Sequence, residues 1–236
     1  MWYPENKKEL EEFIENSFRK KPNIKYKKIN GLIVPHAGYE YSGKIAGTAF
    51  SLLKNKKIDT AIIIGPSHYI SLSDAVTSNL EEWKTPLGIS TIKQFPSLNP
   101  TDLKSEHSIK NQIPFLQKLG IKNIIPIMIG EITEEKAKEL AKKIAKIKAI
   151  YIFSTDLSHF LEYEKAKNID KKTIKIIENL DKNNFENIDA CGKYPLLVLF
   201  YLCKIKNTHP YSIEYKNSGD IINDKSSVVG YSSFYF

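Results

Sequence analysis

Four short apolar runs constrain this chain more than anything else in it, because three of them end in a turn that delivers a histidine. "GLIV" (31–34) runs into Pro35, His36, Ala37 and Gly38, and "TAIII" (60–64) into Gly65, Pro66, Ser67 and His68. "AIYIF" (149–153) runs into Ser154, Thr155, Asp156, Leu157, Ser158 and His159, and "NIIPIMIG" (123–130) feeds a polar helix-like segment. None of these runs alternates polar with apolar residues. Strands buried on both faces belong to parallel sheets with helices above and below.

The segments between them carry helical periodicity. Residues 5–19 place Leu10, Phe13, Ile14 and Phe18 on one face, and 42–54 offer small residues plus Ile45, Ala49, Leu52 and Leu53. A helix over 134–148 has Thr133 as its N-cap and acids in its first turn. Further helices fall at 164–180 and 194–206, and the end of the chain reads as an antiparallel pair joined by the polar loop 217–225. The expected fold class is α/β, a three-layer αβα arrangement with a mostly parallel central sheet. At 236 residues one domain is expected over 1–236, with 1–29 a helix and lead-in and 30–236 the core.

A formal charge of +8 points toward nucleic acid, yet Arg19 is the only arginine. Base readout and bidentate phosphate clamps favour arginine, and the lysines fall on solvated helix faces such as 134–148, so nucleic-acid binding is not expected. No stretch approaches the ~18 apolar residues of a membrane span, and the start shows no basic region followed by an apolar one. A cytoplasmic protein without membrane contact is expected. Cys191 and Cys203 have a spacing that suits neither a redox pair nor a zinc ribbon.

Of the five histidines, His36, His68 and His159 stand just past the carboxyl ends of expected parallel strands, where open α/β sheets place their ligands. Together they suit metal binding, or one base assisted by binding groups. Asp156 is either an oxygen ligand or orienting carboxylate, or else the N-cap of a helix near 158–166. Glu106 and His107 sit at the mouth of another helix and are expected to line the pocket, with Tyr39 and Ser67 from the histidine-bearing turns. Cys203 lies on an apolar helix. Cys191 lies in a turn, and a thiolate with two imidazoles suits copper, iron or zinc.

The strings "VPHAGYEYSG", "IIIGPSH", "EHSIKNQIPFL", "STDLSHF" and "ACGKYP", in that order, resemble the Memo family, also called AmmeMemoRadiSam system protein B, over roughly 31–236. The resemblance implies a fold similar to class III extradiol dioxygenases, with His36 and His68 as metal ligands and Cys191 in the place those enzymes give to a glutamate. It further implies that His159 matches their acid/base histidine, with Asp156 beside it. The chain departs from the family at Gln112, where members often carry a further histidine. A thiolate in place of the carboxylate spoils the two-histidine, one-carboxylate face of oxygen-activating iron.

The expected function is therefore a metal-binding, oxidoreductase-like protein with an altered dioxygenase site holding copper or iron, with zinc as a further option. The alternative is a non-catalytic module that uses the same pocket for a peptide, a phosphopeptide or a small acidic ligand. A metal-free hydrolase built on Cys191, His159 and Asp156 ranks last. The family name also implies association with a radical-SAM protein, although this chain lacks the cysteine motif for that chemistry.

Overall fold

A computed structural model describes residues 2–19, 22, 24 and 28–236. The four apolar runs become β1 (Gly31–Val34), β2 (Thr60–Pro66), β7 (Asn123–Ile129) and β8 (Ile150–Ser154), the parallel centre of the sheet in the order β7-β2-β8-β1. Their registers align the exits: Val34 pairs with Ser154, and Ile64 with Phe153. The turns after β1, β2 and β8 consequently open at one rim.

Both faces of these strands are dry. Leu32, Ile63 and Ile152 point into one core, and Ile33, Ile62, Ile64 and Phe153 into the other. On the first face lie α1 (Lys7–Ser17), α2 (Lys44–Phe50) and, beyond the single turn α3 (His107–Lys110), α4 (Ile113–Lys118), which supply Leu10, Ile14, Phe50 and Phe115. The second face is covered by α5 (Glu134–Ile144), α6 (Tyr163–Asn179) and α7 (Lys193–Lys206). This is an α/β fold with a large, mixed, centrally parallel sheet between helices, compatible with the three-layer expectation.

Local chemistry explains the helix limits. Asn6 caps α1 by accepting from the Lys8 and Glu9 amides, and Thr133 caps α5 by accepting from the Lys136 amide. The stretch expected as one helix over 42–54 is broken into a π-helical turn at Tyr39–Gly43, then α2, then a 3₁₀ turn to Leu53. α6 begins only at Tyr163, with Glu162 in the cap position. The reading of Asp156 as a helix cap is therefore wrong, since six residues of fixed loop separate it from the helix.

The terminal pair is present as β9 (Tyr211–Asn217) and β10 (Gly230–Tyr235), with β10 antiparallel to β1 and the expected polar loop containing one helical turn at Gly219–Ile222. Four further strands had no counterpart in the sequence reading: β3 (Ala75–Ser78), β4 (Glu82–Thr85), β5 (Gly88–Ile92) and β6 (Asn99–Thr101). β5 extends the sheet beside β7 with β4 outside it, and β3 pairs antiparallel with the second half of β7.

Candidate metal centre

His36 leaves β1 fully buried, with its backbone amide donating to Asp156 Oδ1 at 2.8 Å and its Nδ1 2.8 Å from Ser154 Oγ. With Nδ1 engaged at the serine, Nε2 faces the rim, 3.2 Å from the Cys191 sulfur. His68 leaves β2 with its ring centroid 5.0 Å from that of His36. Its Nδ1 and its amide each meet a different oxygen of Glu106 at 2.8 Å. A carboxylate on Nδ1 fixes the ring orientation and leaves Nε2 as a lone-pair donor, the usual support of a metal-bound imidazole.

Cys191 arrives from the turn before α7. Its sulfur accepts from the Asp156 amide at 3.2 Å while its own amide donates to the Asp156 carbonyl at 3.3 Å. Gly192 permits that approach: its amide donates to Thr155 Oγ1 at 2.9 Å, and a Cβ there would stand 2.5 Å from the Thr155 Cβ. The donor atoms of His36, His68 and Cys191 all lie within 4.8 Å of one another. Nitrogen and sulfur ligands about 2.0–2.3 Å from a tetrahedral ion are themselves about 3.3–3.8 Å apart, so the set fits one ion after small side-chain rotations.

Burial dominates the electrostatics of the cluster. Burial, followed by the adjacent His68, lowers the His36 pKa well below the ordinary histidine value, so the ring is a neutral donor. Burial and then the charge of Asp156 push the Cys191 thiol up. That sulfur ionises only when a positive charge sits beside it. Burial also raises Asp156, against the amide of His36 that stabilises its carboxylate. Burial opposes ionisation of Glu106 as well, but hydrogen bonds from the His68 ring, the His68 amide and the Ser108 amide prevail and hold it at about 2.

The remaining expected residues fall in three places. Glu106 and His107 lie beside the donor cluster: Glu106 caps α3, and the His107 ring stacks on Trp2 at 4.1 Å and lies 4.2 Å from His68. With His68 they form a second, overlapping group of close donors, in which Glu106 is already committed to His68. His159 follows β8 partly buried against Phe160, its charge bearing on Asp156 and His36 rather than entering the donor cluster. Tyr39, expected to line the pocket, instead turns inward: it is buried among Tyr3, Phe13 and Phe115, and its hydroxyl donates to the Asn111 carbonyl at 2.7 Å. The π-helical turn aims its ring into the core. Ser67 serves its own turn, donating to the Ile70 carbonyl at 2.6 Å.

Two further residues support the cluster, of which Ser154 had no role in the sequence reading. Ser154, the last residue of β8, holds the His36 ring. Gln112 donates to Ser154 Oγ at 3.0 Å and to the Pro35 carbonyl at 3.1 Å, tying the β8 exit to the turn after β1. No helix among the described residues is long and apolar enough to cross a membrane.

The Memo-like protein family matches residues 1–235. A MEMO1 family protein of Methanobrevibacter smithii is 36% identical over 273 aligned positions, covering 100% of this chain and 96% of its own. One from Sulfurisphaera tokodaii is 37% identical over 236 positions, covering 86% of this chain and 81% of its own. One from Methanosarcina mazei is 32% identical over 256 positions, covering 98% and 94%.

Proposed function

Because the chain belongs to the Memo-like family, we propose that it binds one metal ion through His36, His68 and Cys191 and works as an oxidoreductase-like protein with an altered non-haem dioxygenase site. The observation that carries this reading is the convergence of the three donor atoms within 4.8 Å, from strand ends and a turn far apart in sequence. The thiol and imidazole donors suit copper or iron, and also zinc. Bound copper or iron supplies one-electron redox capacity and Lewis acidity, and zinc supplies the acidity alone.

The chain's own residues divide the remaining work. Glu106 and Ser154 orient the imidazoles, and the Asp156 amide holds the sulfur. Asp156 and His159 stand at the edge of the cluster as the groups that hold and pass a proton, His159 being the more accessible of the two. The sulfur in place of a carboxylate argues against ring cleavage as the reaction.

Metal content of untagged protein, measured by elemental analysis beside the Cys191→Ser and His36→Ala variants, tests the proposal. About one equivalent in the native chain and a marked loss in both variants is expected. Equal metal in all three ends it.

A further inference from the structure

A cavity of about 540 Å³ lies on the helix layer, between α5, α7 and the end of α6, and no part of the metal centre reaches it. α7 begins two residues after Cys191, and Lys204 in the cavity wall lies eleven residues beyond Lys193, about 16 Å along the helix axis. The cavity is thus a separate feature.

Its floor is apolar: Leu180, Phe200 and the fully buried Cys203. Leu180 is there because it ends α6 in the left-handed conformation, with φ 50°, which turns the chain back over the cavity instead of continuing the helix. The wall is cationic. Among the described residues it carries Lys138, Lys182 and Lys204 against the single carboxylate of Glu134.

That carboxylate is already satisfied. Glu134 bonds the ammonium of Lys182 and the hydroxyl of Tyr201, and the same ammonium donates to that hydroxyl at 2.9 Å. Lys182 is thereby fixed in place. Neither Lys138 nor Lys204 makes an ion pair among the described residues, and although the charge of Lys138 also bears on Glu134, the wall keeps an excess of positive charge beside an apolar base. The volume is that of a small-molecule site, most of the lining is polar or charged around the apolar floor, and the excess of lysines selects an anionic ligand.

We propose that this cavity is a second binding site, for a small organic anion that lays an apolar body on Leu180 and Phe200 and sets a phosphate or carboxylate head between Lys138 and Lys204. The site does not depend on the metal-centre reading. Binding of the anion neutralises the wall without disturbing the Glu134–Lys182–Tyr201 triad.

The test is amide NMR of the full chain titrated with hexyl phosphate, hexanoate, inorganic phosphate and hexanol. Hexyl phosphate and hexanoate are expected to give saturable shifts at Leu180, Thr208 and His209, inorganic phosphate weaker ones, and hexanol none there. The Lys138→Met/Lys204→Met double variant, whose changes are at exposed positions, is expected to weaken binding of both organic anions at least about tenfold while leaving metal content unchanged. Raising salt from about 50 to about 500 mM weakens binding to the native chain in the same direction. Shifts that fall at His36 and His68 instead, equal affinity in the double variant, equal binding of hexanol, or no saturable shift at all would each overturn the proposal.

Discussion

Glu106 grips His68 twice, one carboxylate oxygen on the ring Nδ1 and the other on the backbone amide, each at 2.8 Å. A third bond, from the Ser108 amide at 2.9 Å, ties the same carboxylate to the first turn of α3. The orientation of one proposed ligand is therefore set by a helix cap 38 residues away.

Glu106→Gln keeps the size of the side chain but can accept through one atom only. Zinc affinity, measured by competition with a chromophoric chelator, is expected to fall about 10–100-fold, the usual effect of losing an outer-shell partner. Unchanged affinity would mean that the grip on His68 does not bear on the metal.

The thiol of Cys191 is expected to be sluggish in metal-stripped protein, since burial first and Asp156 second hold it in its protonated form. Asp156→Asn removes the second cause, so iodoacetamide should modify Cys191 faster in that variant than in the native chain at a pH near 9. Peptide mass spectrometry distinguishes Cys191 from the buried Cys203. A rate equal to or below the native one contradicts the assignment.

Acid should destabilise the fold partly through His107, which burial and then the neighbouring His36 and His68 rings hold at about 4. An unfolded histidine titrates near 6.5, so from there down to about 4 the unfolded chain takes up a proton that the folded one refuses, and stability falls with pH. Glu106, lowered to about 2, contributes stability that is present above its ordinary range and is lost below it. Asp156 and Asp170, raised by burial, act with the opposite sign, so the His107 contribution is read as a difference. Urea midpoints of His107→Asn should depend less steeply on pH between about 6.5 and 4 than those of the native chain. Parallel curves would rule this out.

Gly65 is where β2 and α3 meet: a Cβ there would lie 2.5 Å from Ser108 Oγ and 2.9 Å from Ser108 Cβ, while that hydroxyl donates to the Pro66 carbonyl at 2.8 Å. Gly65→Ala is expected to push α3 away, to cost about 1–3 kcal/mol of stability and to weaken metal binding through Glu106. Thermal unfolding and the chelator assay together check this; a variant native in both measurements defeats it.

The parts of the site that a sequence can announce are those that strands deliver. His36, His68 and Asp156 were legible because two-sided burial makes β1, β2 and β8 almost wholly apolar and leaves the ionisable groups just past each exit conspicuous. Cys191 stood out by lying in a turn rather than on an apolar helix, but its position as the third ligand beside His36 and His68 came from the family resemblance. Glu106 was visible as a helix cap but not as the partner of His68, since that contact depends on how α3 packs on the end of β2. Tyr39 misled because its motif reads as a pocket turn, whereas a π-helical turn rotates the ring into the core. The outer strands were missed for a different reason. β4 and β5 are four and five residues long with few buried positions, Trp83, Ser90 and Ile92, so neither run shows enough alternation to stand out.

The 3.2 Å approach of the Cys191 sulfur to His36 Nε2 spans 155 positions of chain. Contacts of such long range form late, because the intervening loop must first be closed by other structure. During synthesis both imidazoles leave the ribosome well before the sulfur does, along with β1 and β2 but without the turn that precedes α7. The proposed three-ligand set is therefore incomplete in a nascent chain until α7 docks on the sheet. On the proposed metal-binding reading, assembly of the sheet and α7 precedes loading.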